Sequence, residues 1–232
     1  MLWRPGNRST SVVALCVLLA TPWAGRAAAA APEETRARAW DALRSRVRDE
    51  KYLNHSRAVE AIMRELAVAK SDGADEWGLA GLLHDIDIGT TASDLSRHGV
   101  VGAQVLRELG FSEAVAHAVN AHDDRPGVAR TSRLDHALYC ADQVYWLSTA
   151  AGLSFPSDTR NAAAPDAMWE QVQGMPSKKA ILGEVSSECA EIGFSMPRAF
   201  AAAQAASRKL YRTGNSKTAT PSGGTRSSPL PR

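Results

Sequence analysis

A chain of 232 residues with 44% hydrophobic content is long enough for one well-cored domain and short for two. The formal net charge is +2, but six of the 27 basic residues (Arg4, Arg8, Arg26, Lys217, Arg226 and Arg232) lie in two acid-free ends, leaving 21 against 25 acids between them. That mildly acidic middle offers no basic face to a nucleic acid as main partner. The cysteines Cys16, Cys140 and Cys189 lack the spacing of a C-x-x-C metal motif, so a disulfide framework is not expected and at most one isolated bridge is left open.

Residues 1–32 open with arginines, continue into an apolar run from Val12 to Ala20 and end in small residues. This is the layout of a secretory leader, with a run too short to span a bilayer. The expectation is export to the periplasm or the medium, with a mature start between Ala27 and Glu33. The absence of acids also fits an organelle transit peptide, and a misassigned start would leave the chain cytoplasmic. The domain is expected over 33–212, and residues 213–232, poor in apolar side chains, are expected to be a disordered tail.

Between the ends, helical periodicity dominates and strand signals are nearly absent. In "NHSRAVEAIMRELAVAK" Val59, Ile62, Met63 and Leu66 recur at three- and four-residue spacings. "WGLAGLLHDIDIG" is apolar on every side until it meets His84, Asp85 and Asp87. "HGVVGAQVLRELG" repeats the amphipathic pattern with Gly110 as a stop. "SEAVAHAVNAH" starts on Ser112 as an N-cap. "LDHALYCADQVYWL" is a further amphipathic segment, "SFPSDTRNAAAPD" an irregular connection, and "MPRAFAAAQAASRKLYR" the last helix. The reading is an all-α bundle of five to seven helices.

Several titratable groups fall on the buried stripes of these helices. His55 is followed by Val59, Ile62 and Leu66 at helical spacing, His122 follows Val115 and Ala118, and Asp142 shares a face with Leu134, Leu138 and Tyr145. A carboxylate or imidazole on a buried face needs a cation or a hydrogen-bond network. Inward His and Asp side chains from several helices meet the requirement of a metal site in a bundle core. Asp87 reads as a support or an exposed residue, and His117 and His136, about 140° and 120° off the stripes, as structural. Arg125, Lys178 and Lys179 are candidates to meet a phosphate, although solvated charges explain them as well.

The order His55, His84–Asp85, His98, His122, Asp142 resembles the HD superfamily of metal-dependent phosphohydrolases, in its longer form with two intervening histidines. "NHSRAVEAIMRELA", "WGLAGLLHDID", "HGVVGAQVLRELG", "VAHAVNAH" and "ALYCADQV" look like a branch of small stand-alone bacterial and archaeal predicted hydrolases, over about residues 36–212. The resemblance implies a compact HD-domain bundle with a metal site in its core. His55, His84, Asp85 and Asp142 would hold one divalent transition metal, and Asp85, His98 and His122 a second, with Asp85 bridging. Asp85 and His84 would be central to catalysis. Such a donor set suits Fe, Mn, Co, Ni or Zn better than Ca, and the implied partner is a small phosphorylated molecule. The chain has no Gly-Tyr-Pro signature and carries Ile-Asp after the His-Asp pair, which argues against a cyclic-di-GMP phosphodiesterase. Two other classes compete: a diiron oxygenase of the same superfamily, and a metal- or nucleotide-binding module without turnover.

Overall fold

The computed structural model describes residues 32–218. The expected leader therefore lies outside the described residues, apart from Pro32, which begins the first helix. The described chain is all-α, with no strand among the described residues: α1 (Pro32–Arg46), α2 (Glu50–Val68), α3 (Ala74–Leu83), α4 (Ile88–Thr91), α5 (Val100–Glu108), α6 (Glu113–Ala121), α7 (Arg133–Ala150), α8 (Pro165–Gln173), α9 (Lys179–Glu191) and α10 (Met196–Thr218). The helices outnumber the five to seven read from the pattern. The one-turn α4 carries no periodicity, and α8 begins from Pro165 inside a stretch that reads as loop. The last helix runs to Thr218, past residue 212, and residues 219–232 lie outside the described residues. No described helix is long and apolar enough to cross a membrane.

Local chemistry explains the boundaries. The Asp49 carboxylate accepts the Lys51 N–H at 2.8 Å and caps α2, the Ser112 hydroxyl caps α6, and Ser132 with Asp135 forms a reciprocal capping box on α7. Gly110, at φ 73°, ends α5 as expected.

The core is built around α2, which packs on α3, α7 and α10. It buries Val59, Ile62, Met63 and Leu66 together with Leu82, Leu83, Ile86, Leu138 and Phe200. The approach of α2 to α3 is close because Gly81 has no side chain: a Cβ there would lie 2.9 Å from the backbone N and Cα of Glu60 and from Val59 O. That crossing brings the α2 histidine within reach of the end of α3.

Cys140 on α7 and Cys189 on α9 form one disulfide across a sequence separation of 49. Closing a loop of that length removes chain entropy worth about 4 kcal/mol from the unfolded state. The bridge ties the α8–α9 region to α7, whose opposite face carries Asp142.

Candidate metal centre

Six side chains converge at one end of the bundle. They are His55 from the second turn of α2, His84 and Asp85 just past α3, His98 ahead of α5, His122 just past α6, and Asp142 from α7, all between 1% and 8% exposed. Groups drawn from five of them could hold a metal ion, one being His55, His84 and Asp142 and the other His84, Asp85 and His122.

The helix ends determine how the rings point. His84 follows the last residue of α3, where carbonyls lack intrahelical partners. Its Nδ1 lies 2.8 Å from Gly81 O, and His122 repeats the arrangement after α6, with Nδ1 2.6 Å from Val119 O. A carbonyl can only accept, so Nδ1 must donate. In a neutral ring that leaves Nε2 with a bare lone pair directed into the site, the form a metal ligand requires. Burial depresses His84 to about 4, so the ring is neutral near pH 7.

The donor atoms meet at short range. His55 Nε2 lies 3.0 Å from His84 Nε2 and 3.0 Å from Asp142 Oδ1, and His84 Nε2 lies 3.8 Å from Asp142 Oδ1. Ligands about 2.1 Å from a common ion stand roughly 3.0 to 3.4 Å apart, so the two 3.0 Å edges fit one cation and the 3.8 Å edge is somewhat wide. Asp142 Oδ1, although 3.0 Å from His55, accepts no well-directed hydrogen bond, and His55 Nδ1 has no partner among the described residues. A buried carboxylate oxygen left in that state is costly unless a cation meets it.

Asp85 is shared between two groups. Its Oδ2 faces His84 Nε2 at 3.4 Å and His55 Nε2 at 3.7 Å, while its Oδ1 faces His98 Nε2 at 3.1 Å and His122 Nε2 at 3.9 Å. Despite its burial, the surrounding histidines hold Asp85 well below the usual carboxylate range, so it is charged. Asp142 is likewise held low, by His55 first, against the desolvation that opposes it.

Asp87 supports this arrangement. It is buried, its Oδ1 lies 2.9 Å from His98 Nδ1, and its Oδ2 accepts the N–H groups of Gly99 and Gly102 at 2.9 Å each. Gly99 sits at φ 77°, where a side chain would be strained and would press on Val119 O at 2.8 Å. Burial alone would depress His98, but the carboxylates of Asp85 and Asp87 outweigh it and raise the ring to about 10, so a cation at Nε2 displaces a proton. We expect Asp87→Ala to weaken metal retention about 10- to 100-fold while leaving the helices intact. Competition with a chromogenic chelator measures the first and circular dichroism the second.

His117 and His136 point elsewhere: His117 Nδ1 lies 3.1 Å from Asp135 Oδ2, and His136 pairs with Glu188. Lys178 and Lys179 are not among the cleft residues, whereas Arg125 is. The sequence reading missed the cleft itself. About 450 Å³ in volume, it opens over five of the six residues, all but His84, and is walled by Tyr52, Leu95, Asp123, Asp124, Tyr139, Gln143, Trp146 and Ile181. Asp123 and Asp124 directly follow His122, the one signal that could have drawn attention to them.

Residues 52–147 match the family model described as the HD domain, a span that contains all six convergent residues. Seventy-eight residues align at 41% identity with an uncharacterized protein of Methanocaldococcus jannaschii, covering 32% of this chain and 45% of that protein. The chain thus spans under half the length of this relative. The helical core with its clustered His and Asp side chains agrees with that match, and together they support HD superfamily membership for residues 52–147.

Proposed function

We propose that this protein is a metal-dependent phosphohydrolase acting on a small phosphate ester or nucleotide, with a dinuclear site. What supports the reading is the division of Asp85, one carboxylate oxygen facing the His55–His84 side and the other the His98–His122 side. His55, His84, Asp142 and Asp85 Oδ2 would hold one divalent ion, and Asp85 Oδ1, His98 and His122 the other. Ions held there would supply a hydroxide near neutral pH and stabilise charge on the attacking and leaving oxygens of a phosphoryl displacement.

The chain's own residues prepare the site for that chemistry. The Nδ1 contacts of His84 and His122 with backbone carbonyls, and of His98 with Asp87, fix the rings before any ligand arrives, which lowers the cost of reorganisation. Asp85 and Asp142 stay ionised and offset the charge of the ions. A cleft of about 450 Å³ lies within the range of roughly 300 to 1,000 Å³ that holds small organic ligands.

The test is phosphate release from a panel of esters, including p-nitrophenyl phosphate and nucleoside monophosphates, by protein loaded in turn with Mn, Fe, Co, Ni and Zn. Turnover that a chelator abolishes and metal restores is expected. Oxygen uptake with ferrous iron and no phosphate release would replace the reading with an oxygenase. Ligand binding without turnover would replace it with a binding module.

A further inference from the structure

We propose that Arg125 grips the phosphate oxygens of the substrate, an assignment that rests on the phosphohydrolase reading of the cleft. Arg125 stands three residues after His122, in the turn that leaves α6, and it is the one Arg or Lys among the described residues lining the cleft. Its side chain is half exposed, in a cleft that the buried His and Asp cluster otherwise floors.

The guanidinium is braced on one edge and open on the other. Asp123 Oδ1 accepts Arg125 Nε at 2.7 Å and the Arg125 backbone N–H at 2.8 Å, while Asp123 Oδ2 accepts Nη2. Nη1 meets no acceptor among the described residues. An ion pair between residues two apart at a surface adds little stability. Here it fixes the fork and leaves a planar pair of donors, the geometry that matches two phosphate oxygens. The Asp123 hydrogen bond and, further off, Asp85 hold the guanidinium charged.

The turn is itself anchored from outside the matched segment. Arg130, nearly buried, bonds Asp124 Oδ1 at 2.6 Å and Glu184 of α9 at 2.8 Å, lies 3.0 Å from Glu188, and stacks 4.0 Å from the centre of the Tyr139 ring. The α9 helix is secured by the disulfide to α7 beside Tyr139. The segment between His122 and Arg130 is thus held at both ends, with Arg125 in the turn between them.

The experiment uses the full chain loaded with Mn and compares the wild type with Arg125→Ala, Arg125→Lys and Arg160→Ala. Arg160 is an exposed arginine paired with Asp158, away from the cleft. Calorimetry with inorganic phosphate reads binding, elemental analysis reads metal content, and p-nitrophenyl phosphate reads KM and kcat. Arg125→Ala should weaken phosphate binding at least about tenfold, with metal content retained and a loss that falls on KM more than on kcat. Arg125→Lys should fall between, because it keeps the charge and loses the fork, and Arg160→Ala should match the wild type. Unchanged phosphate affinity in Arg125→Ala, loss of metal together with phosphate, or a wild type that does not bind phosphate would each overturn the assignment. A wild type that binds phosphate through Arg125 yet hydrolyses no ester would leave the assignment standing and remove the phosphohydrolase reading instead.

Discussion

Asp85→Ala is expected to lower turnover of a phosphate ester by on the order of a thousandfold or more, the largest loss from any single change in the chain. Asp85 turns one carboxylate oxygen toward the His55–His84 side of the site and the other toward the His98–His122 side. Its removal takes away a negative charge between two clusters of imidazoles and leaves each short of one oxygen donor. Asp85→Asn keeps the shape and one acceptor oxygen but loses the charge, so it should fall near the alanine variant rather than near the wild type. His117→Ala and His136→Ala should stay within a few-fold of wild type, because those rings pair with Asp135 and Glu188 away from the cleft. Steady-state kinetics on p-nitrophenyl phosphate in the presence of metal checks the ranking, and comparable activity in all these variants would remove Asp85 from the site.

The double variant His98→Ala, His122→Ala should separate the two halves of the centre. It leaves His55, His84 and Asp142 with their mutual distances of 3.0 to 3.8 Å, and it leaves the α2–α3 crossing at Gly81 untouched. The protein should therefore fold, retain one ion and lose about a hundredfold or more in turnover, since one ion cannot stabilise both the attacking and the leaving oxygen. Thermal unfolding and metal analysis of the same sample check both parts. A variant with wild-type turnover would make the site mononuclear in function.

The fold class and the inward positions of His55, His122 and Asp142 were legible from periodicity, whereas His98 and the grouping of all six came from the resemblance of their order to the HD superfamily. An apolar stripe at helical spacing identifies the helix, and a histidine or aspartate on that stripe has to be accommodated inside. Asp142, two turns past Leu134 and one past Leu138, is the plainest case, and the structure buries it as the stripe requires. The supports were not legible in the same way. Asp87 sits in a stretch with no period, and its role depends on the N–H groups of Gly99 and Gly102, twelve and fifteen residues later. The disulfide joins residues 49 apart, which spacing alone cannot pair. Arg125 and Arg130 lie in a turn where charge is ordinary, so only the positions of Asp123, Asp124, Glu184 and Glu188 distinguish them from solvated arginines. One rule does become visible in retrospect. His84 and His122 each follow the last residue of a helix and fold back on a carbonyl three residues earlier, so a histidine at a buried helix end is a natural place for an oriented Nε2.

Two metal positions joined by Asp85 would show in the metal content of the protein, purified without added metal and then reloaded. Elemental analysis against protein concentration should give two transition-metal ions per chain in the wild type and one in the His98→Ala, His122→Ala variant. A wild type that saturates at one ion, with the double variant unchanged from it, would contradict the dinuclear account.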